Sequence, residues 1–483
     1  MTTRRDTTGR DATVQHGEIH RFEMQGTRLV LDVHSGSLHL VDDVVWDLLE
    51  YGPEGPDEAG LERLRARHGA AGVEEALAEI AELRAQGLLF APPPEWEPVM
   101  PKPGDPLRAI CLNVAHACNL RCTYCFADDG TYGGPVKLMP FEVARQAVDL
   151  LIRLSGPRPV CEVDFFGGEP LMNWKVVRET IAYAREAGRR AGKAFTFTLT
   201  TNATLLTPEI LDELDREQVS LILSLDGRPE VHDAKRSGSS RRVEEAIRMV
   251  LERRAPGGKP VWEYGAAQGA TGRGAYAVLR GTYTADNLDF AEDALYMVDR
   301  MHSPHFSLEP VVATPDALYA LREEHLPRLL AEYERLAAEV DRRRREGRPI
   351  TFHHFAVEAE TGPCLPRRVQ GCGAGVQYLA VTPEGDLYPC HQFVGRERFR
   401  LGNVAEGVVA KELQARLAGC HIYTKESCPT CWARYSCSGG CHANADLLNG
   451  DIFKPESIGC ALTKKRVECG LWLKAQALLD AGD

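Results

Sequence analysis

The sequence has no uninterrupted apolar run of about 18 residues, and its first 20 residues, MTTRRDTTGRDATVQHGEIH, hold no apolar segment of the secretory type. Neither a membrane span nor a signal peptide is therefore predicted, and the cytoplasm is the expected location. Basic charge is also in the minority. Lys plus Arg number 57 against 69 Asp plus Glu, a formal net charge of −12, and no Lys/Arg-rich block offsets that acidity. Nucleic acid is a poor partner for such a surface. Cysteine is missing altogether from residue 162 to 363. The 15 cysteines instead bunch, five between Cys111 and Cys161 and ten between Cys364 and Cys469. An odd count without a visible signal argues against a secreted disulfide scaffold, and the bunching points to two separate metal-binding regions.

At 483 residues the chain has room for two to four domains of roughly 100–200 residues each. Residues 1–17 are polar, lack periodicity and read as a flexible arm. From residue 18 to 90, the alternating segments RFEMQ, TRLVLDV and LHLVD precede three amphipathic helical patterns, with Asp42 and Asp43 able to cap the first. This is a compact winged-helix-like module. APPPEWEPVMPKPGDP, residues 91–106, is a stiff extended linker. Across residues 107–310, the apolar runs LRAICLNV, CEVDFF, FTFTLT, VSLILSL, AVLRGTYT and HFSLEP alternate with helical patterns. Such repetition predicts an α/β fold, a parallel-stranded partial barrel of six βα units with chemistry on loops at the C-terminal strand ends. A helical bridge over 311–360, with a long charged helix at about residues 316–347, leads into the cysteine-dense region 361–470. A closing helix at about 461–480 runs into a tail at 471–483.

LRAICLNV leads into AHACNLRCTYCFADDG, so Cys118, Cys122 and Cys125 form a CxxxCxxC array on a loop at a strand end. Thiolates spaced four and three residues apart can converge on one small inorganic cluster. No fourth cysteine lies nearby, and three ligands on a four-iron cluster leave one iron open to a substrate or cofactor. A zinc site with a distant fourth ligand, or plain buried thiols, are the alternatives. The array, with Tyr124 just before Cys125 and a barrel-like first strand ahead of it, resembles the radical S-adenosylmethionine (SAM) enzymes. Gly167-Gly168-Glu169-Pro170, after the second strand, is similar to that family's GGEP segment, whose glycines let the backbone approach the methionine amino group. TTNATLL, containing Asn202, resembles the TNG motif, with Ala203 where glycine is usual. Ser224, Asp226 and Arg236, around the end of the fourth strand, stand where similar enzymes contact the cofactor's ribose and carboxylate. The resemblance implies SAM and one catalytic 4Fe-4S cluster, together producing a deoxyadenosyl radical that removes an unactivated hydrogen. Residues 237–276 depart from the family's usual sequence.

In the C-terminal region CPTCWARYSCSGGC is CxxCx5CxxxC, and with Cys364, Cys372, Cys390 and Cys460 it supplies eight thiolates, enough for two four-ligand sites. Disulfides or zinc ribbons are the competing reading. The pattern resembles the SPASM extension of peptide-modifying radical SAM enzymes, which carries two auxiliary 4Fe-4S clusters. That resemblance implies Cys364, Cys372, Cys390 and Cys441 for the first auxiliary cluster and Cys428, Cys431, Cys437 and Cys460 for the second. Cys111 and Cys161 lie in strand patterns and read as buried, inert thiols, while Cys420 and Cys469 fit neither array.

In sulfatase maturases, which resemble the chain in both arrays, the residue after the GxxYPC cysteine is a catalytic aspartate; here EGDLYPCHQFVG places His391 there. That counts against formylglycine formation. YPCHQFVG, VDFFGGEPLMN and RGTYTADNLDFAEDALYMVD instead resemble maturases of six-cysteines-in-forty-five (SCIFF, ranthipeptide) precursors, which form thioether cross-links. His391 is then a candidate proton acceptor, against a structural histidine packed by a cluster. The segment from His20 to Phe90 resembles the recognition element of ribosomal-peptide maturases, where a leader adds as a strand to the sheet edge, with a dimerisation domain as the alternative. The implied partners are a cysteine-rich precursor peptide with its leader and an electron donor such as flavodoxin or ferredoxin. Other SPASM maturases, acting on a quinohemoprotein subunit or a sulfatase, and a zinc-binding interaction protein are the competing functions. A winged-helix regulator is disfavoured by the acidic charge.

Overall fold

The computed structural model describes residues 18–93, 99–254, 276–357 and 369–482. The N-terminal arm, Cys364 and most of the unusual stretch within 237–276 lie outside the described residues. Strands β1 (Ile19–Met24), β2 (Thr27–Asp32) and β3 (Leu38–Leu40) form an antiparallel meander in that order. Phe22 and Met24 on β1, and Leu29 and Leu31 on β2, are buried, the period-two face that a strand turns to a core. Helices Asp43–Leu48, Glu58–His68 and Ala70–Ala85 follow. Asp42 accepts from the Val45 N–H at 2.9 Å and Asp57 from the Gly60 N–H at 2.8 Å, satisfying donors that a helix start leaves unpaired. Asp43 is the first helical residue, not the cap.

The main sheet realises all six apolar runs: β4 (Ala109–His116), then the short β5 (Lys137–Leu138), β6 (Val160–Gly167), β7 (Ala194–Thr201), β8 (Val219–Ser224), β9 (Ala277–Tyr283) and β10 (His305–Pro310). With β11 (Thr351–Phe352), the strands run parallel in the order β11-β10-β9-β8-β7-β6-β4. Helices such as Phe141–Leu154 and Trp174–Ala191 make the return connections. Every residue of β4 is buried, whereas β6 alternates half-buried and buried positions, so β4 is covered on both faces and β6 fully on one.

On the far side of β4 the sheet continues into the cysteine-rich region, which no sequence pattern announced. There β12 (Tyr378–Val381) pairs parallel with β4, and β13 (Asp386–Tyr388), β14 (Gly402–Asn403) and β15 (Gly407–Val408) follow antiparallel. Cys390, two residues past β13, is thereby fixed relative to the loop after β4. The charged bridge helix spans Leu326–Arg345, shorter than its charge pattern suggested, because Pro327 stands in its first turn, where a missing N–H costs nothing. The closing helix Ser457–Gly482 lies along it, joined by Lys465–Glu334 at 2.8 Å and by Arg466 donating to the Tyr333 hydroxyl at 2.8 Å.

The N-terminal sheet is seated on this C-terminal region. The His20 ring stacks on Trp432, centroids 3.6 Å apart and planes at 4°, and bonds Glu468 at 2.9 Å. Glu18 pairs with Arg434. Val33 joins Val369, Ile422, Cys428 and Tyr435 in one apolar cluster. No helix among the described residues is long and apolar enough to cross a membrane.

Candidate active site

The C-terminal ends of β4, β6, β7, β8, β9 and β10 border one cavity of about 230 Å³. Cys118, Cys122 and Cys125 all line it, together with Gly167, Gly168, Asn202, Ser224, Arg236 and His391. The cysteine loop is pinned at several points. Asn202 Nδ2 donates to Asn119 Oδ1 at 3.0 Å and lies 3.8 Å from Cys118 Sγ, which also receives the Leu120 N–H at 3.4 Å. The Thr123 N–H donates to the Lys235 carbonyl at 3.0 Å. Burial raises the Cys118 thiol and pushes Cys122 up to about 11, so a cationic centre is needed to hold them as thiolates. Among the described residues no three His, Cys, Asp or Glu side chains converge on a single-ion site. All three donors facing the cavity are soft thiols, which suit an iron–sulfur centre.

Gly167 and Gly168 are required by close backbone approach. Gly167 has φ +132°, and a Cβ there would fall 2.4 Å from the Ala115 carbonyl oxygen; one on Gly168 would fall 2.2 Å from that of Ala117, just before Cys118. The glycine pair thus lets β6 close against the cysteine loop, with the Gly168 and Glu169 N–H groups donating to Ala115 and Ala117 at 2.8 and 2.9 Å. Ala203 adopts φ +63°, the left-handed conformation that glycine would take without strain.

Two carboxylates in the motifs face inward and do not line the cavity. Glu169 is fully buried and accepts from the Leu171 N–H at 2.9 Å, the Thr201 hydroxyl at 2.8 Å and the Asn202 N–H at 2.8 Å, tying the GGEP turn to the end of β7. Burial pushes its carboxyl up to about 7 against those hydrogen bonds. Pro170 is buried and opens the 3₁₀ turn Pro170–Asn173. Asp226, also fully buried, accepts from the Tyr124 hydroxyl at 2.6 Å, from Arg236 at 2.9 and 3.1 Å and from the Thr282 N–H at 2.9 Å. Burial opposes its ionisation, but Arg236 outweighs this and holds the carboxyl below the usual range. The roles these positions can fill are therefore to orient Asn202 and Arg236, which do reach the cavity.

His391 packs on Phe166, centroids 4.5 Å apart, and its Nδ1 is buried without a partner. Burial, with Arg280 nearby, lowers its pKa to about 4, so the ring is neutral near pH 7. A second cavity of about 460 Å³ adjoins the first, sharing Arg280, Glu309, Val311, Val312 and Gln392, and is bordered by Cys437, Cys441 and Cys460. Sequence reasoning passed over Glu309, although its place at the end of β10 is the positional signal. His354 lies 3.0 Å from it, and the Ser307 hydroxyl donates to it at 2.8 Å.

The C-terminal thiols separate into two neighbourhoods. Cys390 is raised by burial and then by Cys441 and Cys372, while Cys460 is pushed up to about 12 by burial and then by Cys437, Cys428 and Cys431. Cys372 and Cys441 thus lie within electrostatic reach of Cys390, and Cys428, Cys431 and Cys437 within reach of Cys460. Cys111, Cys161, Cys420 and Cys469 are buried in the core.

The sequence pattern described as the Radical SAM superfamily matches residues 112–259. The Radical SAM cyclopropyl synthase TigE of Paramaledivibacter caminithermalis is 21% identical over 382 residues, covering 75% of this chain and 73% of that protein. Among solved structures, native anSMEcpe with bound AdoMet and Kp18Cys peptide superposes with a TM-score of 0.60 at 18% identity, covering 78% of this chain and all of that one. Streptococcus suis SuiB bound to its precursor peptide SuiA gives a TM-score of 0.50 at 15% identity and covers 92% of this chain and 98% of that one. The chain has the radical SAM α/β fold, and the radical SAM domain implies SAM and a 4Fe-4S cluster.

Proposed function

We propose that this radical SAM enzyme is a peptide maturase that joins a cysteine sulfur to a carbon atom within a ribosomally made, cysteine-rich precursor. The observation that carries the reading is the meeting of three thiol groups around two adjoining cavities with a common wall at Arg280, Glu309 and Gln392. Peptide as the substrate class is supported by the peptides bound to anSMEcpe and SuiB. His391, where sulfatase maturases carry an aspartate, turns the reading away from formylglycine formation.

Cys118, Cys122 and Cys125 would hold a 4Fe-4S cluster, which with SAM would supply the chemistry to remove hydrogen from an unactivated C–H bond. Gly167 and Gly168 leave the cavity floor free of side chains there, while Asn202, Ser224 and Arg236 offer the cofactor polar contacts. Glu169 and Asp226 hold those donors from behind. Phe126 and Phe166 give the cavity apolar surface, and the His391 ring, packed on Phe166, borders it in neutral form. The C-terminal thiols, with Cys364 assigned to the first set by sequence, would hold two auxiliary clusters able to accept the surplus electron, and flavodoxin or ferredoxin is the donor of the initiating one. The leader docks along the outer edge of β3, which pairs with no strand among the described residues and exposes Leu40, so that binding there raises the effective concentration of the core peptide at the cavities.

The test is anaerobic turnover of reconstituted enzyme with SAM, a reductant and the cognate precursor. A thioether requires loss of two hydrogens and of one alkylatable thiol per cross-link. Hydrogen loss with every thiol retained would replace the thioether by a carbon–carbon product, the kind of bond named for TigE. An unmodified peptide beside continued SAM cleavage would overturn the maturase reading.

A further inference from the structure

The two C-terminal thiol groups meet at a buried lysine. Lys425 is 1% exposed, and its Nζ donates to the Gly439 carbonyl at 2.6 Å and approaches His442 Nδ1 at 3.3 Å. Neither partner is an anion. Gly439 belongs to the Ser438-Gly439-Gly440 link that joins Cys437 of one group to Cys441 of the other. All three link residues have positive φ, at +59°, +85° and +67°, so the backbone folds over the ammonium group. A Cβ on Gly439 would lie 3.2 Å from the lysine Cδ, which leaves little room between link and side chain.

A cation buried against neutral acceptors alone is unfavourable, and the usual remedy is negative charge close by. The thiols supply it. Cys437 and Cys441, one from each group, flank the link that covers the ammonium group, and Cys428 stands three residues after Lys425. We propose that Lys425 is the shared counter-cation of both auxiliary cluster sites and holds both at raised reduction potential. The proposal rests on reading those thiols as iron–sulfur ligands. A four-iron cluster bound by four thiolates is anionic in both oxidation states and more so when reduced, so a fixed buried cation favours the reduced form. One residue would thus make two electron acceptors easier to reduce at once.

The test compares the full chain with Lys425→Met, which keeps length and removes charge, and Lys425→Arg, which keeps charge. Iron and sulfide analysis of the wild type comes first: about four irons per chain where three clusters would give about twelve would sink the cluster reading itself. With the clusters present, an EPR-monitored redox titration decides. Both auxiliary signals should move to lower potential in Lys425→Met and stay near wild type in Lys425→Arg, with the SAM-binding cluster unmoved. Unchanged potentials in Lys425→Met, or a shift in one cluster alone, would overturn the shared role. Should Lys425→Met fail to load, Lys425→Arg must load both auxiliary clusters at near wild-type potentials. Auxiliary iron lost from both variants alike would show that shape, not charge, is what the site needs.

Discussion

The Cys118–Cys125 loop and the C-terminal thiols are held in place by different means. The first hangs from the ends of long parallel strands, and its ties are made by the barrel: Tyr124 and Arg236 on Asp226, Asn202 on Asn119, and the buried Glu169 bracket behind them. The second lies among strands of two to four residues and short 3₁₀ turns, leaning on the N-terminal sheet through Trp432 and on the helix that carries Cys460. A site framed by completed secondary structure keeps its shape without its metal. A site with so little regular backbone depends on metal–thiolate bonds for its own fold.

The largest test of this contrast is cysteine removal. Changing Cys118, Cys122 and Cys125 to Ala should abolish SAM cleavage and lower iron from about twelve to about eight per chain, with the thermal transition nearly unmoved. Changing Cys428, Cys431, Cys437 and Cys460 to Ala should lower iron equally but preserve SAM cleavage, and should expose residues 420–460 to limited proteolysis. Equal protease sensitivity in both variants would erase the distinction.

Next in size is the barrel's own bracing. Asp226→Asn leaves the Arg236 guanidinium buried without its carboxylate and should cost about 3–5 kcal/mol in denaturant unfolding. Tyr124→Phe, which removes one hydrogen bond, should cost only about 1 kcal/mol. Glu169 adds a pH test. Its carboxyl shifts from 4.5 to about 7 on folding, so between those values the folded chain binds more protons than the unfolded one. Stability should therefore fall as pH rises through that window, by at most about 1.4 kcal/mol per pH unit from this group. Glu169→Gln should flatten the slope, seen as a melting temperature less sensitive to pH, though it gives up an acceptor for Thr201 or Asn202.

The smallest effect belongs to Ala203. Ala203→Gly removes left-handed strain of about 1–2 kcal/mol and adds about 0.4–1 kcal/mol of unfolded-state entropy, for a net gain of about 0.5 kcal/mol by chemical denaturation. A net loss would mean that the Ala203 methyl packs better than its backbone suggests.

What could be read from the sequence follows the same division. The six barrel strands were legible because each is a contiguous apolar run, and the cysteine loop because its spacing is local. Asp226 was visible as a motif residue, but its inward role was not, since Tyr124 lies 102 positions away. The pairing of β12 with β4 joins segments about 270 residues apart and carries no local signature. Lys425 was passed over as one lysine in TKESC, because its burial depends on a link that only the folded chain brings above it. The stretch within 237–276 that departs from the family lies largely outside the described residues.

The seating of the N-terminal sheet bears on protein engineering. Glu18, His20 and Val33 grip Arg434, Trp432, Glu468 and the Cys428 cluster, so this sheet is not an interchangeable cartridge. A chimera that fits the barrel with a foreign N-terminal module, to redirect it to another peptide, has to transplant those side chains or redesign the whole seam. Otherwise the graft would loosen the backbone around Cys428 and Cys431 while leaving the catalytic barrel untouched.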